Sequence, residues 1–196
     1  MRQGITKIEI LIGVVVICFA GMFLIPGYRA KGVAEDRARC LSNLGAIGEG
    51  LTAYLQDSGD IWPAVSKLRS VQIHEPAWPT LGDVLKPYLS GETDVLLCPA
   101  DRRLLPSDHK LSAQFGSRTT WRETEGASYE WLMGDVYAGK KVGQESLASA
   151  KGFGMGRADM PLISEFEPFH KGDGQGSFNT LNADLKPRTA RDEVAR

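Results

Sequence analysis

The strongest constraint on the fold is an apolar segment with two charges near its start, GITKIEILIGVVVICFAGMFLIPGY, from Gly4 to Tyr28. The 16 residues from Ile10 to Ile25 carry no charge. As a helix they extend ~24 Å, less than the ~30 Å hydrocarbon core of a bilayer. Counting from Ile5 gives 21 residues and ~31 Å, which is long enough to cross. The segment is therefore predicted to span a membrane only if Lys7 and Glu9 lie at one edge of it.

Two ordinary explanations leave part of this segment unexplained. A cleaved secretory signal ends at a small-residue cleavage site, whereas this run ends in FLIPGYRA and carries an acidic residue near its start. A plain membrane anchor accounts for the length. It does not account for Glu9, because a carboxylate near the centre of a membrane helix costs ~2.5–3.5 kcal/mol on insertion scales. A buried ionisable group of this kind normally has a specific partner.

The residues GITKIE supply a third interpretation, because they resemble the processing site of type IV prepilins and type II secretion pseudopilins. In that family a prepilin peptidase cuts after the glycine and methylates the new N-terminus. The resemblance implies a leader of residues 1–4 ending at Gly4, a mature chain beginning at Ile5, and a glutamate, Glu9, that sets the assembly register. The new amine on Ile5 could pair with Glu9 of a neighbouring subunit, which would compensate a carboxylate that is otherwise costly in lipid.

Residues around the motif agree with this resemblance in part. Pro26 and Tyr28 match the P-x-Y that follows the apolar run in many of these proteins, and Pro26 is expected to kink the helix. Lys7 departs from the family, which usually has an apolar residue there. The positive-inside rule favours the opposite orientation, because Lys and Arg are more numerous just after the segment than before it. The orientation therefore follows from the motif, which implies a periplasmic C-terminal region.

The residues after the apolar run predict that the helix continues and becomes amphipathic. Residues 5–27 are expected to form the membrane or filament-core half, and residues 28–56 the amphipathic half. Apolar residues recur on one face of the second half at Cys40, Leu44, Ile47, Leu51 and Tyr54. Gly59 and Pro63 are predicted to end the helix. Three glycines weaken this helix but would let a sheet approach it closely: Gly45, Gly48 and Gly50.

Residues 57–187 are predicted to form one globular region, because the chain from Asp57 onward is long enough for a single modest core. Four short stretches predict an antiparallel sheet: Val95–Cys98, Ser128–Met133, Leu162–Glu165 and Phe178–Asn182. Thr80 is the predicted N-cap of a short helix that runs to Leu89. Residues 188–196 are predicted to be a flexible tail. Together with the resemblance, these elements predict an α+β, pilin-like fold in which the long N-terminal helix packs on a small sheet.

Two later stretches, LLCPADRR and FHKGDGQGSFNTLNADLKP, resemble a group of pseudopilin-like proteins with a CPxD element and a final H…N-x-x-x-A-D-G hairpin. Leu185 stands where that group often has glycine. The turn of the last hairpin is therefore expected to differ.

The three cysteines, Cys18, Cys40 and Cys98, include no CxxC pair and no Cys/His spacing that suits zinc. On the pilin interpretation Cys40 and Cys98 lie outside the cytoplasm, where disulfides persist. A bridge between them would close a loop of 58 residues and contribute roughly 4 kcal/mol in the chain-entropy model. Two free buried thiols explain the sequence equally well.

No stretch of the sequence has the spacing of a catalytic site. Ser107–His109 holds the residue types of a hydrolase triad, but adjacent residues rarely orient one another and no GxSxG elbow occurs. The glycine-rich stretches 139–143 and 152–156 lack P-loop and dinucleotide-binding spacing. The three histidines form no HxxxH or HExxH pattern, which argues against a metal enzyme.

Calcium is the one cofactor that the sequence leaves open. Some major pseudopilins bind it near the C-terminus. Oxygen ligands are available from Asp135, Glu165, Asp173 and Asp184 if these residues converge. No EF-hand pattern is present, so solvated loop carboxylates are the favoured interpretation.

The sequence thus predicts a structural, non-enzymatic subunit of a type IV pilus or type II secretion-like filament. A net charge of −1 gives no case for nucleic-acid binding. The resemblance implies three partners: the prepilin peptidase, other pilin or pseudopilin subunits, and an inner-membrane assembly platform. It also implies a single-pass inner-membrane protein that later enters a periplasmic or surface filament. The alternative is a membrane-anchored extracytoplasmic binding or hydrolytic domain that uses the helix only as an anchor.

Overall fold

The computed structural model describes residues 7–70, 73, 75–89, 93–102, 120–132, 134–143, 157–170 and 178–190. Its dominant element is helix α1, Lys7–Asp57, of 51 residues. The shorter helices are α2 (Leu81–Leu85), α3 (Trp121–Glu125) and α4 (Gly134–Tyr137), with 3₁₀ turns at Lys86–Tyr88, Thr93–Leu96 and Arg157–Asp159. The strands are β1 (Tyr129–Trp131), β2 (Pro161–Glu165), β3 (Phe178–Asn182) and β4 (Pro187–Ala190).

The four strands form one antiparallel sheet in the order β1-β2-β3-β4. Each strand pairs with the next one along the described chain, so Tyr129 lies opposite Glu165 and Phe178 lies opposite Ala190. A register shift between Pro161 and Ile163 marks an irregularity where β2 begins to pair with β3. The α+β class and the small antiparallel sheet are thus as predicted.

The second half of α1 packs on this sheet through the predicted apolar face. Cys40, Leu44, Ile47 and Leu51 are fully buried. Tyr54 is only partly buried, and Leu55 takes the next core position instead. The helix lies against β3, β4 and the 3₁₀ turn Thr93–Leu96, so its apolar face forms one wall of the core.

Residues just after Asp57 explain why α1 ends there. After Asp57 the chain turns through Gly59 and Asp60, whose φ angles are +70° and +64°. The Asp60 amide donates to the Leu55 carbonyl oxygen at 2.7 Å. Gly59 therefore has the left-handed conformation predicted for it. The helix continues through Pro26, and the kink expected there stays a prediction.

Two of the glycines on the second half of α1 stand where the rest of the fold approaches most closely. A Cβ on Gly48 would lie 2.9 Å from the Leu185 carbonyl oxygen. A Cβ on Gly50 would lie 3.0 Å from a Leu89 methyl carbon. A Cβ on Gly45 would meet no neighbouring atom within 4 Å. The close approach is therefore specific to the faces that carry Gly48 and Gly50.

Two predicted segments were wrong. Val95–Cys98 is not a strand: its first residues belong to the 3₁₀ turn Thr93–Leu96, closed by the Leu97 amide donating to the Asp94 carbonyl at 3.0 Å. The predicted tail from residue 188 also begins too early, because Pro187–Ala190 pairs with β3 as an edge strand. Proline at the first position of an edge strand loses no ladder hydrogen bond. Leu185, in the turn before β4, has a positive φ of 58°.

Aromatic side chains fill the core beyond the α1 wall. Trp62, Trp131 and Tyr137 are each about 1% exposed. The rings of Trp62 and Tyr137 meet edge to face with centroids 5.4 Å apart. Trp62 also lies 6.3 Å from Trp131, centroid to centroid. These contacts tie the segment after α1 to β1 and α4.

Candidate functional site

The first half of α1 exposes large apolar side chains. Eight of them between Ile8 and Phe19 are 46–72% exposed: Ile8, Leu11, Ile12, Val14, Val15, Val16, Ile17 and Phe19. Four are consecutive, and successive residues in a helix point about 100° apart, so the apolar surface surrounds the helix. Such a helix is typical of one surrounded by lipid or by other helices. Within the described residues, no helix combines the length and the apolarity needed to cross a membrane.

The predicted processing residues are only partly placed. Gly4 and Ile5 lie outside the described residues, and their roles stay predictions. Glu9 lies near the beginning of α1, where its backbone but not its side chain is described.

A cluster of polar side chains is buried where the second half of α1 meets the sheet. Cys40 on α1 and Cys98, just after the 3₁₀ turn Thr93–Leu96, are joined by a disulfide, with their Cα atoms 5.2 Å apart. Glu165 at the end of β2 and His170 just beyond it lie against this bond. Asn179 on β3 completes the cluster, and all five residues are at most 1% exposed. The disulfide ties the helix to the loop, while the carboxylate and imidazole come from the sheet side.

Hydrogen bonds to Glu165 hold its carboxylate in place. Oε2 accepts from the Asn179 backbone amide at 2.9 Å, and Oε1 accepts from Asn179 Nδ2 at 3.0 Å. His170 Nε2 lies 3.0 Å from Oε1. Cys98 Sγ lies 3.7 Å from the same oxygen, and it is a contact only, because a disulfide sulfur carries no proton. A buried carboxylate is tolerated when it is hydrogen-bonded in this way.

A guanidinium from α1 reaches the same cluster. Arg37 is 4% exposed. Its Nη2 donates to the His170 carbonyl oxygen at 2.9 Å, and its Nη1 approaches Asn179 Oδ1 at 3.4 Å. Thr189 Oγ1 on β4 donates to that oxygen as well, at 3.1 Å. The helix therefore brings a guanidinium to the same cluster as the Glu165 carboxylate of the sheet, and Asn179 contacts both groups.

Tyr129 borders the cluster on the β1 side. Its hydroxyl donates to the Cys40 carbonyl oxygen across 3.5 Å. Burial raises the pKa of Tyr129 well above its ordinary value, and the nearby Glu165 charge raises it further. The phenol is therefore a hydrogen-bond donor throughout the ordinary pH range.

The aspartate of the CPxD element, Asp101, holds the N-terminus of α3 in place. It is 1% exposed, and its carboxylate lies beside the first residues of α3. Its Oδ1 accepts from the Trp121 amide at 3.3 Å, and its Oδ2 accepts from the Arg122 amide and Ser128 Oγ at 2.8 Å each. Burial raises the pKa of Asp101, and these hydrogen bonds oppose that shift. The carboxylate thus anchors α3 to β1 through two backbone amides and a hydroxyl.

The calcium candidates are only partly described, and the calcium site stays a prediction. Glu165 is buried in the polar cluster, and Asp184 pairs with Arg188 at 2.8 Å. Asp173 lies outside the described residues, and for Asp135 only the backbone, in α4, is described. The group that does converge among the described residues is Cys40, Cys98, Glu165 and His170.

Sequence spacing missed this converging group, because its members come from α1, a loop, β2 and the turn after β2. The separation of Cys98 from Glu165 is 67 residues, which matches no metal-binding pattern. Residues 139–143 form a loop after α4, in which Lys141 makes an isolated antiparallel bridge with Ile61. Ser107–His109 and residues 152–156 lie outside the described residues.

The chain matches no family model, and it matches neither a curated protein nor a solved structure. The structure itself defines the class as α+β, with one long helix packed on a four-stranded antiparallel sheet.

Proposed function

We propose that this chain is a structural subunit of a type IV pilus or type II secretion-like filament, processed by a prepilin peptidase after Gly4 and assembled through the first half of α1. One observation carries the proposal. The GITKIE motif directly precedes and enters a helix that is apolar on all sides from Leu11 to Phe19 and packs its second half on an α+β body. This division of one helix into an exposed apolar half and a docked amphipathic half is what a filament-core helix requires.

Burial of the exposed apolar segment supplies the driving force. Its eight large side chains are 46–72% exposed. Full burial of one such side chain contributes about 1.5–3 kcal/mol, so their exposed part amounts to roughly 10 kcal/mol per subunit. Because this much free energy is gained on burial, the segment is expected to lie in lipid or among similar helices. The core of a filament consists of such helices.

Glu9 would set the axial register between subunits. Lipid offers its carboxylate no partner, whereas an adjoining subunit cut between Gly4 and Ile5 presents a new amine. A charge pair in a low-dielectric surrounding strongly favours one arrangement over its neighbours. Gly13 has open space around it, so a second helix can approach closely there.

The disulfide supports an extracytoplasmic position for the α+β body. Cys40 and Cys98 are joined in the core, and disulfides of this kind persist in oxidising compartments such as the periplasm. The first half of α1 would then lie in the inner membrane before assembly. The resemblance implies that an assembly ATPase, acting through a membrane platform, extracts the subunit into the polymer.

Analysis of the mature N-terminus tests the proposal directly. The full chain would be expressed in cells with and without a prepilin peptidase and studied by intact mass and N-terminal sequencing. We expect a chain that begins at Ile5 and carries one added methyl group, only when the peptidase is present. A matched Gly4→Leu variant should stay uncut. A retained Met1 in the presence of the peptidase, or a cut beyond Pro26, would instead favour the membrane-anchored binding or hydrolytic domain.

Substitution of Glu9 tests the assembly step. Glu9→Gln removes the charge and keeps the shape, so the chain should still insert and be cut at Gly4 but should fail to enter filaments. Glu35→Gln is the matched control on the same helix, because its side chain is 66% exposed and its contact with Lys31 spans 3.8 Å at the surface. Sheared-filament yield and cross-linking between subunits measure the outcome. Assembly of Glu9→Gln at the level of the control would contradict the register role.

A further inference from the structure

The buried polar cluster holds four side chains with the donor atoms of a metal site. The Cys40 and Cys98 sulfurs, His170 Nε2 and a Glu165 carboxylate oxygen all lie within 4.8 Å of one another. All four residues are at most 1% exposed. In the oxidised protein the two sulfurs are bonded to each other. We propose that the dithiol form of this chain binds one Zn²⁺ through Cys40 Sγ, Cys98 Sγ, His170 Nε2 and the Glu165 carboxylate.

Three of the distances between the donor atoms are close to those of tetrahedral zinc. With zinc bonds of about 2.3 Å to sulfur and about 2.0 Å to nitrogen or oxygen, tetrahedral ligands lie about 3.5 Å apart for sulfur with nitrogen or oxygen and about 3.3 Å apart for nitrogen with oxygen. Cys98 Sγ lies 3.5 Å from His170 Nε2 and 3.7 Å from Glu165 Oε1. His170 Nε2 lies 3.0 Å from Glu165 Oε1. The two sulfurs, bonded in the oxidised form, must separate to about 3.8 Å, and the Cys40 sulfur starts within 4.8 Å of the other donors.

The donor set selects the class of ion. Two thiolates, one imidazole and one carboxylate match the ligands that zinc takes in proteins. Calcium and magnesium prefer oxygen ligands throughout and six or more of them, which this cluster does not offer. A thiophilic divalent ion of the zinc type is therefore the ligand.

The charge balance of the cluster is the same in both states. With the disulfide, the Glu165 carboxylate contributes −1 and the Arg37 guanidinium contributes +1 beside a neutral sulfur pair. Two thiolates with one Zn²⁺ are also neutral together. The metal therefore replaces the sulfur–sulfur bond without adding an uncompensated charge to a buried site, which would be unfavourable.

The ligands on the sheet side are held by contacts that do not involve the disulfide. Asn179 donates to both Glu165 oxygens, and Arg37 donates to the His170 carbonyl. His170 Nδ1 has no hydrogen-bond partner among the described residues. Zinc bound at Nε2 would leave the ring proton on Nδ1, a nitrogen that accepts no hydrogen bond from these residues in the oxidised form and therefore loses none.

Formation of the site begins with a two-electron reduction. A dithiol reductant attacks the Cys40–Cys98 disulfide, its two thiols become one disulfide, and two electrons and two protons pass to the protein sulfurs. Zinc binding then releases the two thiol protons to solvent. Because the disulfide is fully buried, the exchange takes place in the unfolded or opened chain, and the metal form is made on refolding. The proposal is independent of the filament function.

Cobalt is the probe, because tetrahedral Co²⁺ bound by thiolates has strong visible and near-ultraviolet bands. The full chain with Cys18→Ser, which removes the exposed third cysteine, would be kept in a non-ionic detergent and unfolded with dithiothreitol. After removal of the dithiol without oxygen, it would be refolded with Co²⁺. We expect one Co²⁺ per chain with tetrahedral bands, displacement by Zn²⁺, and a higher urea midpoint for the reduced chain with Zn²⁺ than without. The oxidised chain should show none of these.

Substitution of the proposed ligand residues distinguishes this site from nonspecific metal binding by the two thiols. His170→Ala and Glu165→Gln should each weaken Co²⁺ binding by at least about tenfold. Glu167→Gln, two residues from Glu165 and outside the cluster, should leave it within about twofold. X-ray absorption at the zinc edge of the otherwise unsubstituted reduced chain should give two sulfur and two nitrogen or oxygen neighbours, at about 2.3 and 2.0 Å, even if a variant fails to fold.

Four results would overturn the proposal. The first is a reduced chain that binds no Co²⁺, whether or not it refolds with the metal present. The second is equal binding by the oxidised chain. The third is a zinc environment without two sulfurs. The fourth is Co²⁺ binding that His170→Ala and Glu165→Gln both leave unchanged.

Discussion

Substitution of Gly48 by alanine measures how closely the last hairpin approaches α1. Alanine in a helix interior is favoured over glycine by ~1 kcal/mol. At Gly48, however, the new Cβ would lie 2.9 Å from the Leu185 carbonyl oxygen and 3.2 Å from a Leu181 methyl carbon. The backbone must shift to relieve such a contact, and overpacking of this kind costs ~1–3 kcal/mol. Gly48→Ala is therefore expected to lower the free energy of unfolding by about 0–2 kcal/mol.

Gly45→Ala is the matched control, because it makes the same chemical change on the same helix with no atom within 4 Å of the new Cβ. It should raise the free energy of unfolding by about 1 kcal/mol. The two variants should therefore differ by about 1–3 kcal/mol, independently of the absolute stability of the chain.

Urea unfolding of the full chain in a non-ionic detergent, followed by tryptophan fluorescence, gives both values. Trp62, Trp121 and Trp131 are buried in the body and report on its unfolding. Thermal unfolding provides a second readout, in which 1 kcal/mol corresponds to about 2–4 °C for a chain of this size. If Gly48→Ala proved as stable as Gly45→Ala, with unchanged denaturant dependence, the hairpin would not lie against α1 as described.

Three further predictions concern the body. Replacing Cys40 and Cys98 together by serine should lower the free energy of unfolding of the oxidised protein by roughly 4 kcal/mol, the loop-closure contribution for their separation of 58 residues, and reductant should then no longer affect the urea midpoint. Asp101→Ala should cost about 2–4 kcal/mol in urea unfolding, because two backbone amides and a hydroxyl lose a buried acceptor; a loss below about 0.5 kcal/mol would contradict this role. Burial raises the pKa of Glu130 above its ordinary value of 4.5, against the opposing effect of Lys67. The folded protein therefore binds that proton more tightly than the unfolded chain, so the stability of the wild type relative to Glu130→Gln should rise as the pH falls through the raised pKa. Urea midpoints of both proteins between pH 4 and 7 measure the slope, and a fall with decreasing pH would be the contrary result.

Local sequence patterns were sufficient to predict the elements whose side chains repeat periodically. The spacing of Cys40, Leu44, Ile47 and Leu51 predicted the buried face of α1, and all four are fully buried. Thr80 caps α2 with its side chain accepting from the Asp83 amide, as its position before an apolar run indicated. The strand predicted at Phe178–Asn182 is β3 with the same bounds.

Local patterns failed where neighbours decide the conformation. The apolar residues of Val95–Cys98 suit a strand, but the chain there turns so that Cys98 can reach Cys40. Pro187–Ala190 has little apolar content, and its conformation depends on pairing with β3 and on the bond from Arg188 to Asp184. Both errors arise because a short segment takes its structure from what it packs against.

By itself the amino-acid sequence determined the long helix, the face it buries and most of the sheet, because side-chain periodicity is a local property of the chain. Only the tertiary structure decided that Cys40, Cys98, Glu165 and His170 share one buried site. Intervals of 58, 67 and 5 residues separate these four along the chain. Their donor atoms meet because α1, the loop after the 3₁₀ turn Thr93–Leu96 and the end of β2 pack together, and residue spacing along the chain does not encode that packing.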